Sequence, residues 1–161
     1  MFLERFHEAQ ANSWAGYDTA FAEIRAGGKR SHWIWYIFPQ IEGLGRSSTA
    51  QAYAIRDLGE ACAYLSDPIL RGRYEEIVGA VGEQLARGMR VEDLMGSQID
   101  ALKLVSSLTL FRVAAEQLAR EDPVYVSLEE RLAALLRQTS EQGYAACDFT
   151  LARIADERRK E

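Results

Sequence analysis

The side chains best suited to bind and polarise a small ligand crowd into the stretch Gly27 to Ser48, which reads GGKRSHWIWYIFPQIEGLGRSS. His32 has an imidazole that titrates near neutral pH, and it is the general acid or base candidate. Lys29 and Arg46 supply positive charge, and the amide of Gln40 supplies an oriented hydrogen bond. Trp33 and Trp35 offer flat faces for stacking a ring or holding a cation. With Tyr36, Phe38 and the imidazole they put five rings into the positions 32 to 38, whereas aromatic residues make up 10% of the chain. Such density serves either as a hydrophobic plug, each indole N–H satisfied internally, or as the wall of a ligand pocket. The loop Gly43-Leu44-Gly45-Arg46-Ser47-Ser48 then runs into a helix start, where free N–H groups, the helix dipole and Arg46 can seat an anion; a plain loop running into a helix cap is the more ordinary reading.

A second segment, Asp100 to Phe111, pairs with the first chemically. On a helix Asp100, Lys103 and Ser107 recur at i, i+3 and i+7, with Ser106 beside them and Thr109 following. A solvated face is the ordinary meaning of such a stripe. Here its neighbours are leucine, valine, serine and threonine, so a buried polar stripe competes, and Lys103 then needs a partner, with Asp100 the nearest in sequence. Lys103 joins His32 as a catalytic candidate. The ligand-binding candidates are Lys29, Trp33, Trp35, Gln40, Arg46, Ser47, Asp100, Ser106, Ser107 and Thr109.

Several chemistries are disfavoured. Two histidines and no paired-carboxylate motif leave no recognisable metal ligand set, and no cofactor is expected. No GxSxG elbow, Walker loop or dinucleotide GxGxxG motif occurs. Cys62 and Cys147 lack metal or redox spacing, and Cys62 reads as a small buried hydrophobe. His7 reads as a helix residue without a partner. A net charge of -5 argues against general nucleic-acid binding and against anionic membranes, leaving an unidentified small molecule as the expected partner. Neither a signal-peptide core nor a bilayer-spanning run is visible, so the expected location is cytoplasmic.

The elements that must position these groups are helices. Ser66-Asp67-Pro68 and Asp122-Pro123 carry the cap-then-proline signature of helix starts. The spacing predicts helices over 3–11, 17–26, 47–65, 68–86, 98–119, 123–138 and 148–156, with a short turn at 91–95. Leu70, Tyr74, Ile77, Val78, Val81 and Leu85 share one face of the fourth. Trp33 to Phe38 holds the strongest strand propensity but has no second strand to pair with, so it reads as an extended or single-turn segment among helices. The expectation is one all-α domain over 1–161: a compact bundle of about six to seven helices with an aromatic-rich extended connector and a frayed charged tail at 157–161.

The strings Gly28-Lys29-Arg30-Ser31-His32-Trp33-Ile34-Trp35-Tyr36-Ile37-Phe38-Pro39-Gln40, Gly43-Leu44-Gly45 with Ser47, Tyr53-Ala54-Ile55, Ala63-Tyr64-Leu65 and Lys103-Leu104-Val105-Ser106-Ser107-Leu108-Thr109-Leu110-Phe111 resemble the domain of unknown function 1810 family, whose members are sometimes labelled calpastatin-like. The likeness extends to Asp148-Phe149-Thr150-Leu151, although Asp148 and Thr150 stand closer together than in the family pattern. It implies an all-helical domain of this size and carries over no activity. Nothing in the chain looks like a repetitive, disordered protease inhibitor. Two functional readings follow: a pocket for a small anionic or nucleotide-like ligand of the ADP-ribose type, bound and then hydrolysed or transferred, or a protein-interaction module using the aromatic segment 33–38. The first requires the tryptophan-rich connector and the lysine-serine helix to converge in space.

Overall fold

Side-chain caps set the starts of four of the helices in the computed structural model, which describes residues 3–161. The first two helices are α1 (Glu4–Gln10) and α2 (Tyr17–Arg25), followed by the short α3 (Ile34–Ile37) and α4 (Ser48–Ala52). Then come α5 (Leu58–Ser66), α6 (Pro68–Ala86), α7 (Val91–Met95), α8 (Gln98–Ala119), α9 (Val126–Glu141) and α10 (Asp148–Arg159). Asp67 accepts from the N–H groups of Ile69 and Leu70 at the head of α6, with Pro68 in the first turn. Ser97 does the same for Asp100 on α8, Asp57 for Glu60 on α5 and Ser47 for Ala50 on α4. Each cap satisfies a backbone donor that the helix itself leaves unpaired.

At the centre of the molecule lies α8. Leu104, Val105, Leu108, Leu110, Phe111 and Ala114 are all buried, so apolar side chains surround the helix rather than lining one stripe. It packs between α5, α7 and α9. Phe111 sits against Tyr64 and Tyr74 at ring-centroid distances of 5.0 and 4.7 Å, and Phe6 and Phe38 close the aromatic cluster. Burial at this density makes truncation of Phe111 worth about 3–5 kcal/mol.

The connector between α2 and α4 is laid onto this core. Lys29 donates its backbone N–H to the Leu94 carbonyl at 2.8 Å, tying the connector to α7. Gly96, at φ +84°, passes so near that a Cβ there would stand 3.0 Å from the Lys29 carbonyl oxygen. Only glycine combines that left-handed backbone with that approach. Trp33, Ile34, Ile37 and Phe38 then bury their side chains beside α8.

The all-helical expectation holds among the described residues, which contain ten α-helices rather than six to seven, together with a 3-10 turn at Pro123–Tyr125 ahead of α9. The expected extended connector is not extended across its aromatic core. Residues 34–37 form one helical turn, closed by Ile37 N–H to the Trp33 carbonyl and Phe38 N–H to the Ile34 carbonyl. The expected helix over 47–65 is two helices, α4 and α5. Ile55 leaves the helical path to form a parallel bridge with Ile41, donating to Gln40 and accepting from Glu42. The last helix reaches Arg159, and Glu157 accepts the Leu58 N–H at the start of α5. Met1 and Phe2, where the expected domain begins, lie outside the described residues.

Candidate functional site

Lys29, early in the connector, faces the first turn of α8. The Lys29 ammonium lies 2.9 Å from one carboxylate oxygen of Asp100, and the Lys103 ammonium lies 3.9 Å from the other. Two cations therefore share one carboxylate. Each also sits over an indole face: Lys29 is 5.1 Å from the Trp33 ring centre and Lys103 is 5.3 Å from that of Trp35. Both separations fall inside the range where the ring quadrupole attracts a cation. The Lys29 side chain is 7% exposed and that of Lys103 is 25% exposed, so the second ammonium is the one that meets solvent. The local charge is one positive unit in excess, in a place half withdrawn from water.

One element here was not among the expected site residues. Glu23, in the last turns of α2, holds the connector from the other side. Its Oε1 accepts the backbone N–H groups of Arg30 and Ser31 at 2.8 and 2.9 Å and the Trp33 indole N–H at 2.9 Å, while Oε2 accepts the Ser31 hydroxyl. Burial alone would push this carboxyl up; the four hydrogen bonds outweigh it and hold the pKa at about 2. The signal in the sequence is only a glutamate four residues before Gly27-Gly28, which is ordinary for a solvated helix face.

Beyond Trp35 lies a notch of about 10 Å³, room for a single water-sized group, lined by Trp35, Gln40, Ile41, Gly45, Ala50, Tyr53 and Ala54. Gly45 is required there, because a Cβ would stand 2.4 Å from that of Ala50. The Trp35 indole N–H is buried and has no acceptor. Roomier clefts lie elsewhere: one of about 290 Å³ beside Asp57 and Glu157, and one of about 280 Å³ over Gly79, Gly82 and Arg131. Neither is lined by one of the expected site residues.

The remaining candidates are distributed as follows. His32 is exposed at the edge of the cluster, and its backbone carbonyl accepts the Tyr36 hydroxyl. Arg46 and Ser47 are exposed on the loop before α4, where Ser47 serves as the cap. The hydroxyls of the α8 stripe are bound internally. Ser106 donates to the Leu102 carbonyl, Ser107 pairs with the Tyr74 hydroxyl at 3.0 Å, and Thr109 donates to Val105 while accepting the Cys147 N–H. His7, expected to lack a partner, pairs at 2.7 Å with Asp67, the carboxylate that caps α6. Among the described residues no group of three or more histidine, cysteine and carboxylate side chains could hold a metal ion, and no helix is long and apolar enough to cross a membrane.

Comparison with known proteins agrees with this architecture. The crystal structure of the conserved hypothetical protein Rv1873 from Mycobacterium tuberculosis is similar to this chain, with 37% sequence identity and a TM-score of 0.79 over 95% of this chain and 96% of that one. No curated protein matches the chain. The family model described as a protein of unknown function (DUF1810) matches residues 1–134 of the 161, and the chain therefore belongs to the DUF1810 family.

Proposed function

We propose that the surface formed by Lys29, Trp33, Trp35, Gln40, Asp100 and Lys103 is a small-molecule site that binds, and processes, an anionic or nucleotide-like ligand of the ADP-ribose type. The observation that carries this reading is the meeting of two segments seventy positions apart, in which two ammonium groups lie over two indoles and share one carboxylate. A phosphate entering beside Lys103 meets the exposed member of an undercompensated pair, and a flat ring finds Trp35 next to it. Arg46 and Ser47 extend the positive rim from the neighbouring loop. Where hydrolysis or transfer follows binding, exposed His32 carries the proton and Lys103 stabilises the developing charge. Ser106, Ser107 and Thr109 serve the site indirectly, by keeping α8 fixed. A reducing cytoplasm suits the two free cysteines, Cys62 and Cys147.

Thermal shift with ADP-ribose and adenosine 5′-monophosphate tests this reading, since a ligand at a hundred times its Kd adds about 2.7 kcal/mol of stability. Lys103→Ala should remove the response while leaving the unliganded melting curve near that of the native chain; His32→Ala should preserve binding and abolish turnover. The absence of any shift at millimolar ligand, or an equal shift in Lys103→Ala, would refute it. The competing reading, a protein-interaction module at 33–38, has less surface to work with: Trp33, Ile34, Tyr36, Ile37 and Phe38 are buried, leaving Trp35 as the reachable ring. Acrylamide quenching that is strong in the free protein and relieved only by a protein partner would favour it.

A further inference from the structure

The notch beside Trp35 brings together polar groups that the fold leaves unused. The Trp35 Nε1–H is buried without an acceptor, and the same notch is lined by the half-buried Gln40 and Tyr53, whose polar groups reach solvent. The rest of the lining is Ile41, Gly45, Ala50 and Ala54. The space accepts one heavy atom and no ring. A group that enters it must therefore be a single atom projecting from the edge of a larger body that stays outside.

The donors decide which atom. Trp35 can only donate, Gln40 can donate through its amide nitrogen, and Tyr53 can donate through its hydroxyl. A carbonyl oxygen, with two lone pairs, accepts from two of them at once; an amino group would turn a donor against the indole N–H. We propose that this notch is an oxygen-recognition subsite, which selects ligands carrying an exocyclic carbonyl on a planar ring over their amino counterparts. The inference rests on the small-molecule reading above and adds to it the chemical class of the ring.

Inosine 5′-monophosphate and adenosine 5′-monophosphate make the matched pair, since they share ribose and phosphate and differ at the ring edge in an oxo versus an amino group. Isothermal titration of the native chain should give about tenfold tighter binding of the inosine nucleotide, the worth of one or two well-made hydrogen bonds. Trp35→Phe, which keeps a ring beneath Lys103 but removes the N–H, and Gln40→Leu should each bring the two affinities within about twofold of one another. Lys103→Ala should weaken both nucleotides together and keep their ratio. Circular dichroism confirms that each variant is folded, and Tyr53→Phe replaces any that is not. Equal affinity of the native chain for both nucleotides, failure to bind either, or a ratio that survives in Trp35→Phe and Gln40→Leu overturns the subsite. ADP-ribose binding that depends on Lys103 while the two nucleotides remain undistinguished would remove the subsite alone and leave the broader reading intact.

Discussion

Replacing Asp100 by alanine strips the shared carboxylate from the Lys29–Asp100–Lys103 cluster. Lys103 loses little, because its ammonium is 3.9 Å away and partly in solvent. Lys29 loses its ion-pair partner at 2.9 Å with a side chain only 7% exposed, and the Trp33 face at 5.1 Å remains as partial compensation. Removing one partner of a fully buried pair costs about 3–5 kcal/mol; the 18% exposure of Asp100 admits some water, so about 2–3 kcal/mol is the expected loss. For a chain of this size that corresponds to a fall in Tm of roughly 5–10 °C. Urea denaturation of Asp100→Ala, and of the cycle Asp100→Leu, Lys29→Met and the combined Lys29→Met/Asp100→Leu, forms the assay. The double variant, with two apolar side chains in place of the pair, should recover most of the stability, giving a coupling energy above about 1.5 kcal/mol. An Asp100→Ala protein within about 0.5 kcal/mol of the native one would refute the reasoning, since that is the behaviour of an exposed ion pair. Such a result would also remove the basis for treating Lys29 as a charge held ready for an anion.

Three further outcomes follow from the same geometry. Glu23 titrates in the folded chain at about 2, below its ordinary 4.5, so its contribution is complete above pH 4.5 and is lost as the pH falls toward 2. Glu23→Gln should accordingly lower stability by about 2 kcal/mol at neutral pH, with the difference between the two urea midpoints closing as acid is added; a gap independent of pH would contradict the assignment. Ser107→Ala leaves the Tyr74 hydroxyl buried without its partner and should cost about 1–2 kcal/mol while leaving nucleotide affinity unchanged, so a selective loss of binding would show that Ser107 touches ligand. Gly96→Ala combines φ +84° with a Cβ 3.0 Å from the Lys29 carbonyl, and should cost about 1–3 kcal/mol and weaken ligand response together, as followed by melting with and without ADP-ribose; an unperturbed melt would mean that the connector shifts freely.

How far the sequence reveals this molecule depends on the range of the force that sets each feature. The helix α6 is legible because its cap, proline and apolar face lie in its own stretch of sequence, and α8 is legible from its long uninterrupted run of helix-compatible residues. The break between α4 and α5 is not announced by any glycine or proline from Tyr53 to Arg56; it arises because Ile55 pairs with Ile41, a contact invisible in local pattern, although Asp57 and Glu60 carry the local mark of a second start. The site shows the same division. That Lys103 needs a carboxylate, and that Asp100 is within reach, follows from helix spacing, but the closer ammonium is Lys29, delivered by a connector whose course local sequence does not specify. That course is fixed at two points by carboxylates: Glu23 gathers the Arg30, Ser31 and Trp33 donors on one side, and Asp100 takes the Lys29 ammonium on the other. Once these are satisfied, the Trp35 N–H is the buried side-chain donor of the connector that folding has left without an acceptor among the described residues. A buried donor without an acceptor lowers the stability of the free fold and gains most when an acceptor arrives, so the Trp35 N–H, more than the density of rings, supports the proposed ligand site.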